Sequence, residues 1–229
     1  MMAGPGPHPR GTPQVSEVRT EPPMGMRGAP VLVLEEFLAP QELERLAQYV
    51  QAHETDFVLS EVVAPGAAAS TVDFEHRKSR VLFVLGEHED VISGRILSYL
   101  PRILPAVGLQ PFPIARVEAQ ITASNDGDFF RPHEDNGDPP LRTRELTFVY
   151  FFHREPKGFS GGALRLYGLL EGDDTAFVDV EPAQNSLLVF PAWAPHEVTP
   201  IACASSERAD ARYSVNCWLY RRRGAQGPV

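Results

Sequence analysis

Arg212-Tyr213-Ser214-Val215-Asn216-Cys217-Trp218-Leu219-Tyr220 is the stretch that decides how this chain is read. Side chains alternate across a strand. Arg212, Ser214, Asn216 and Trp218 therefore share one face, and Tyr213, Val215, Cys217 and Leu219 the other. Arg116–Ala123 repeats the pattern, with Arg116, Glu118, Gln120 and Thr122 opposed to Val117, Ala119, Ile121 and Ala123. Each of these two strands pairs a polar face with an apolar one. A polar face meets solvent in an ordinary half-buried sheet, or it lines a pocket inside a barrel.

Working outward, strand patterns recur at Ala115–Ser124, Leu146–His153, Ala163–Tyr167, Ala176–Val180, Ser186–Phe190, His196–Ile201 and Arg212–Tyr220. Pro, Gly, Asp and Asn gather between them, which is turn chemistry. Many short strands without intervening helices predict a sandwich or open barrel. The fold expected is mostly β with flanking α-helices, around a double-stranded β-helix (jelly-roll) core over about residues 115–220. Ahead of it, Val31–Phe37 reads as a strand, and Leu43, Leu46, Ala47 and Val50 form a helical stripe behind Pro40, a good first-turn residue. A second helix begins near Glu89, with Ile92, Ile96, Leu100, Ile103 and Val107 on one face; Pro101 and Pro105 are expected to kink or split it.

Residues 1–28 are rich in Pro and Gly and lack an aliphatic pattern, so they read as a flexible tail to a single domain over 29–229. The net charge of -9 argues against a nucleic-acid partner. No apolar run approaches the roughly 20 residues that span a bilayer, and the N-terminus lacks the pattern of a secretory signal. Cys203 and Cys217 are too few for a disulfide framework or zinc cage, and a reduced, cytoplasmic setting is the expectation.

The chemistry-bearing motif is His133-Glu134-Asp135. On an extended segment an imidazole and a carboxylate two residues apart point the same way. His196, behind the stiff Pro191-Ala-Trp-Ala-Pro195 link, is the best candidate for a third ligand. Two imidazoles and a carboxylate on one side of a metal leave positions open on the other, which suits non-haem iron(II) and oxygen. His-x-Asp alone is a weak signal. It strengthens beside Arg212, whose guanidinium can hold a carboxylate through two parallel hydrogen bonds.

Five motifs in order then carry a resemblance. They are Phe129-Phe-Arg-Pro-His133-Glu-Asp135, Leu146-Thr-Phe-Val-Tyr150-Phe-Phe, Ser160-Gly-Gly-Ala-Leu-Arg-Leu166, Phe190-Pro-Ala-Trp-Ala-Pro-His196-Glu-Val and Arg212-Tyr-Ser-Val-Asn-Cys-Trp218. Together they resemble the prolyl 4-hydroxylase branch of the 2-oxoglutarate/iron(II) oxygenases. The resemblance implies His133, Asp135 and His196 as iron ligands, with Arg212 and the Tyr150 hydroxyl on the distal carboxylate of 2-oxoglutarate. It places Asn216 and Trp218 in the pocket near the metal, and has Gly161 and Gly162 shape the start of a strand close to it. It further implies Fe(2+), 2-oxoglutarate and O2, with ascorbate as a candidate reductant. The reaction implied is hydroxylation of a C–H bond, prolyl or proline-like, in a protein, peptide or amino acid.

Two departures stand out. The insert Ile201–Ala211 is longer than the family's usual spacing and makes Arg208 a rival to Arg212, although the strand pattern that continues from Arg212 favours Arg212. Ala123 stands where relatives often carry Tyr, which puts a substrate contact and prolyl specificity in question. Two readings of other classes remain at this point: a cupin-type metalloenzyme, and a non-catalytic jelly-roll binding module.

Overall fold

The computed structural model describes residues 17–18, 30–63, 70–167 and 177–223. Strand β1 (Glu17–Val18) precedes β2 (Leu32–Leu34) and helix α1 (Pro40–Ala52). The short strands β3 (Val58–Leu59), β4 (Val62–Val63), β5 (Ser70–Thr71), β6 (Arg77–Lys78) and β7 (Arg80–Leu82) lead to helix α2 (Glu87–Ala106). Then come β8 (Ile114–Ser124), β9 (Phe129–His133), β10 (Arg144–Phe152), β11 (Ser160–Gly161), β12 (Leu164–Tyr167) and β13 (Phe177–Val180). The last strands are β14 (Ser186–Pro191), β15 (His196–Val198), β16 (Ile201–Ala202) and β17 (Arg212–Arg221).

An eight-stranded sheet runs β1-β2-β14-β10-β17-β8-β7-β3, and a five-stranded sheet runs β13-β12-β15-β9-β6. Alternation decides what each strand presents to either side. Val149 and Phe151 of β10 and Leu188 and Phe190 of β14 point inward and meet Leu164, Leu166 and Val180 of the smaller sheet. Leu146, Phe148, Tyr150 and Phe152 of β10, with Val215, Cys217 and Leu219 of β17, point outward into a second core filled by the helices. Helix α1 contributes Leu46 and Val50 there, and α2 contributes Ile92, Ile96, Leu100 and Ile103. This is the jelly roll with helices on one sheet that the alternating strands predict.

The helices are tied together at their ends. The Glu42 carboxylate accepts the backbone N–H of Ala39 at 2.7 Å, which satisfies an orphan donor ahead of α1. Arg95 of α2 donates to both oxygens of that carboxylate, at 2.9 and 2.8 Å, and to the Phe37 carbonyl at 2.6 Å.

Several expectations need correction. Helix α2 runs as one element through Pro101 and Pro105. Both prolines fall in its C-terminal turns, where buried Leu100, Ile103 and Leu104 hold it against the sheet. The strand expected at His196–Ile201 divides into β15 and β16, because Pro200 interrupts it and its carbonyl accepts the Gly162 N–H at 3.2 Å. Within the expected tail, Glu17 and Val18 pair with Leu34 and Val33 at the edge of the larger sheet; the rest of residues 1–28 lies outside the described residues, apart from these two. No expectation covered the five short strands between α1 and α2, and β9 was read only as an extended segment. Among the described residues, no helix is long and apolar enough to cross a membrane.

Candidate metal centre and its pocket

His133 and His196 are register partners on the neighbouring strands β9 and β15. Pairing brings their rings to 4.2 Å between centroids. Asp135 lies just beyond β9, where its backbone N–H donates to the Ala192 carbonyl at 2.9 Å. Its Oδ1 sits 3.9 Å from His133 Nε2, and its Oδ2 sits 3.6 Å from His196 Nε2. One ligand atom from each of the three residues lies within 4.8 Å of the others.

The shell around these three groups orients them. Nδ1 of His133 is 2.8 Å from the Arg131 carbonyl, and Nδ1 of His196 is 2.9 Å from the Ala194 carbonyl. A carbonyl only accepts, so each Nδ1 carries a proton, and Nε2 is the ring atom left to face a cation. Thr147 Oγ1 donates to Asp135 Oδ2 at 2.6 Å. Burial, then the neighbouring His196, pushes the His133 pKa down to about 3 against the pull of Asp135, so the ring is neutral at ordinary pH. Burial works to raise the Asp135 carboxyl, yet the two imidazoles, Thr147 and Trp218 outweigh it and hold it below the ordinary carboxylate value. The Trp218 indole N–H favours the charged carboxylate from close by, while making no hydrogen bond of normal geometry. Two imidazoles and one carboxylate are a donor set that suits a divalent iron.

The pocket beside this cluster is walled by the polar faces of β8 and β17, which supply Gln120, Thr122, Ser214, Asn216 and Trp218. The pocket alternative for those faces is the one the fold adopts. Asn216 Nδ2 donates to Thr122 Oγ1 at 2.7 Å. Arg212 is 2% exposed, and burial alone draws its pKa down to about 10, which leaves it a cation at neutral pH. Its Nε donates to the Gly162 carbonyl at 2.8 Å, while its buried Nη2 has no hydrogen-bond partner among the described residues. A cation so placed and half-satisfied fits a carboxylate ligand.

The twin glycines have a steric reason. A Cβ on Gly162 would lie 2.7 Å from Arg212 Cδ, and one on Gly161 would lie 2.4 Å from the Pro200 carbonyl oxygen, with both residues at positive φ. Arg208, the rival cation, is elsewhere: it pairs with Glu54, Nε to Oε1 at 3.2 Å, on the outer side of the larger sheet.

Tyr150 is a correction. It is register partner to outward-facing Val215, while its neighbour Val149 opposes inward-facing Asn216. Its ring packs against Phe37 at 5.6 Å, and its hydroxyl donates to Asn185 Oδ1 at 2.8 Å. Burial raises its pKa. It touches the helix-side core and cannot meet a molecule held by Arg212. Ala123 likewise packs against that outer core, so nothing is missing from the pocket at that position. Among the aromatic residues of the quoted motifs, Phe129, Phe130 and Trp218 line the pocket, and Trp193 lies 40% exposed outside it. Arg77, Ser79 and Thr147 line it too and escaped the sequence reading. Arg77 sits on a two-residue strand and Ser79 in the link after it, too little sequence to show alternation, and Thr147 lies on a nearly all-apolar strand.

With this geometry in place, likeness to known proteins is informative. Residues 119–220 match the family model described as the 2OG-Fe(II) oxygenase superfamily. An uncharacterised PKHD-type hydroxylase of Synechocystis is 30% identical over 92% of this chain and 71% of its own length. The chain belongs to the 2OG-Fe(II) oxygenase superfamily and is a 2-oxoglutarate-dependent dioxygenase. A Pseudomonas putida prolyl 4-hydroxylase shares the fold at TM-score 0.62 and 20% identity, over 85% of this chain and 94% of that one. A Trichoplax adhaerens prolyl hydroxylase, in complex with a hypoxia inducible factor peptide fragment, aligns at TM-score 0.63 and 19% identity over 84% of both chains.

Proposed function

We propose that this dioxygenase hydroxylates a C–H bond of a prolyl or proline-like group in a protein, peptide or amino acid, at a centre formed by His133, Asp135 and His196. One observation carries the reading: Arg212, whose buried Nη2 has no partner among the described residues, lines the same pocket as the His/Asp/His cluster. A 2-oxoglutarate molecule has a carboxylate to give that nitrogen and a keto-acid end to give the metal. Iron(II), when bound, supplies oxygen activation coupled to oxidation of 2-oxoglutarate.

The chain's own residues position and shield. The carbonyls of Arg131 and Ala194 fix the tautomers of the two imidazoles. Thr147 fixes the carboxylate of Asp135, and Gly162 fixes the Arg212 guanidinium. Phe129, Phe130 and Trp218 give the pocket apolar faces that suit a pyrrolidine ring and exclude water. The peptide bound to the Trichoplax relative supports a protein or peptide as the substrate class.

The test is turnover. With iron, 2-oxoglutarate and oxygen, the protein is expected to form succinate slowly alone and faster with the right member of a panel of proline-containing peptides and proline-like amino acids. Acceleration by none of the panel would remove the prolyl assignment and leave the dioxygenase class standing.

A further inference from the structure

Arg77 is the charged wall of the pocket that the proposed cofactors leave unexplained. It sits on β6, where it pairs with Phe130 of β9. Its guanidinium carbon lies 4.6 Å from the centroid of the Phe130 ring, and that ring stacks on His133 at 3.5 Å. Its Nε donates to Ser79 Oγ at 2.9 Å. Among the described residues, its two terminal nitrogens have no hydrogen-bond partner, and no carboxylate lies within ion-pair distance. Desolvation draws its pKa down to about 10, with Asp135 opposing.

Charge balance turns this position into a statement about the substrate. In the filled centre, the two positive charges of iron and the one of Arg212 are matched by Asp135 and the two carboxylates of 2-oxoglutarate. Among the described residues, Asp135 is the one acidic residue of the pocket wall, and it is committed to the metal. Arg77 therefore stays unmatched. Water solvates it while the pocket is open, but a substrate that displaces that water and brings no negative charge would strand a cation in a confined space, at high cost. With Nε held by Ser79 and the plane braced on Phe130, the terminal nitrogens remain as a fork shaped for a carboxylate.

We propose that Arg77, oriented by Ser79 and Phe130, is a specificity-determining residue that binds a carboxylate of the prime substrate, so that the group hydroxylated lies close to an acid. The inference rests on the oxygenase reading above. The acid has three sources: the α-carboxylate of a free amino acid, the C-terminal carboxylate of a peptide, or an acidic side chain beside the target residue.

The experiment is anaerobic calorimetry on protein loaded with iron(II) and 2-oxoglutarate, using probes in acid and amide pairs. The pairs are L-proline with L-prolinamide, N-acetyl-glycyl-L-proline with its amide, and a capped prolyl-aspartyl with a prolyl-asparaginyl dipeptide. At least one acid is expected to bind tenfold or more tightly than its amide partner, and the pair that does so names the source. In Arg77→Gln the advantage should vanish. In Arg77→Lys, which keeps the charge without the fork and guards against a disturbed β6–β9 pairing in the glutamine variant, an intermediate advantage should remain. The proposal is overturned if no acid outbinds its amide in the wild type, absence of binding by both included. It is equally overturned if the advantage survives in Arg77→Gln. Binding of 2-oxoglutarate by the iron-loaded wild type, read in the loading step, separates failure of this inference from failure of the cofactor site itself.

Discussion

Thr147 and Tyr150 lie three residues apart on β10 and show how much one step of alternation decides. Thr147 points into the pocket and donates to Asp135 Oδ2 at 2.6 Å. Thr147→Val keeps the shape and removes that donor. Partners of this kind are worth on the order of 10–100-fold in metal affinity, so iron affinity measured by chelator competition should fall within that range. Unchanged affinity would mean that Asp135 needs no such support. Tyr150 points the other way, and its hydroxyl serves Asn185, which also accepts the N–H of Leu38 and donates to its carbonyl. Tyr150→Phe should therefore cost about 1 kcal/mol of stability in denaturant titration and leave 2-oxoglutarate affinity where it was. A weakened 2-oxoglutarate affinity would put Tyr150 back in the site. The candidates His133, Asp135 and Arg212 could be picked out in the sequence because spacing and alternation are local properties, whereas His196 joins them only through the pairing of β9 with β15. The side taken by Tyr150 was not legible, since Phe148–Phe152 carries aromatic or aliphatic side chains on both faces and the run hides its own phase.

At the scale of the element, the approach of the Gly161–Gly162 segment to β17 sets the depth of the pocket. Arg212 reaches the Gly162 carbonyl only because Gly162 lacks a side chain and accepts a φ of +69. Gly162→Ala would drive a Cβ into Arg212 Cδ in a backbone region that costs on the order of 1–3 kcal/mol for other residues. Expected outcomes are a lower melting temperature and 2-oxoglutarate binding weakened about tenfold or more, with iron binding kept, because His133 and His196 are anchored on β9 and β15. A variant that binds 2-oxoglutarate normally would show that the guanidinium has room to move. The strands that carry a repeating pattern, β8 and β17 above all, could be read before the fold was known. β6 and β7 could not, because two or three residues are too few to show a period. β9 was obscured by Arg131 and Pro132, which interrupt its pattern on a strand whose pairing depends on partners distant in sequence, β15 and β6.

Across the whole molecule, two cores divide the work. The helix-side core packs the larger sheet against the helices, and the inner core leaves room where the polar residues of β8 and β17 gather beside the His/Asp/His cluster. The overall acidity of the chain conceals a pocket wall with, among the described residues, two arginines and one carboxylate, and only the folded arrangement reveals that local sign. The central claim is that Arg212 and the three metal-facing residues form a single site for iron and 2-oxoglutarate. The most direct measurement is anaerobic calorimetric titration of 2-oxoglutarate into wild type and Arg212→Gln, each with and without iron(II). The account predicts one iron-dependent site in the wild type. It also predicts a loss of about 1.5–3 kcal/mol in Arg212→Gln, the worth of a hydrogen bond to a charged group, which is roughly ten- to a hundredfold in affinity. Undiminished binding by Arg212→Gln, or no binding by wild type with iron in place, would contradict it.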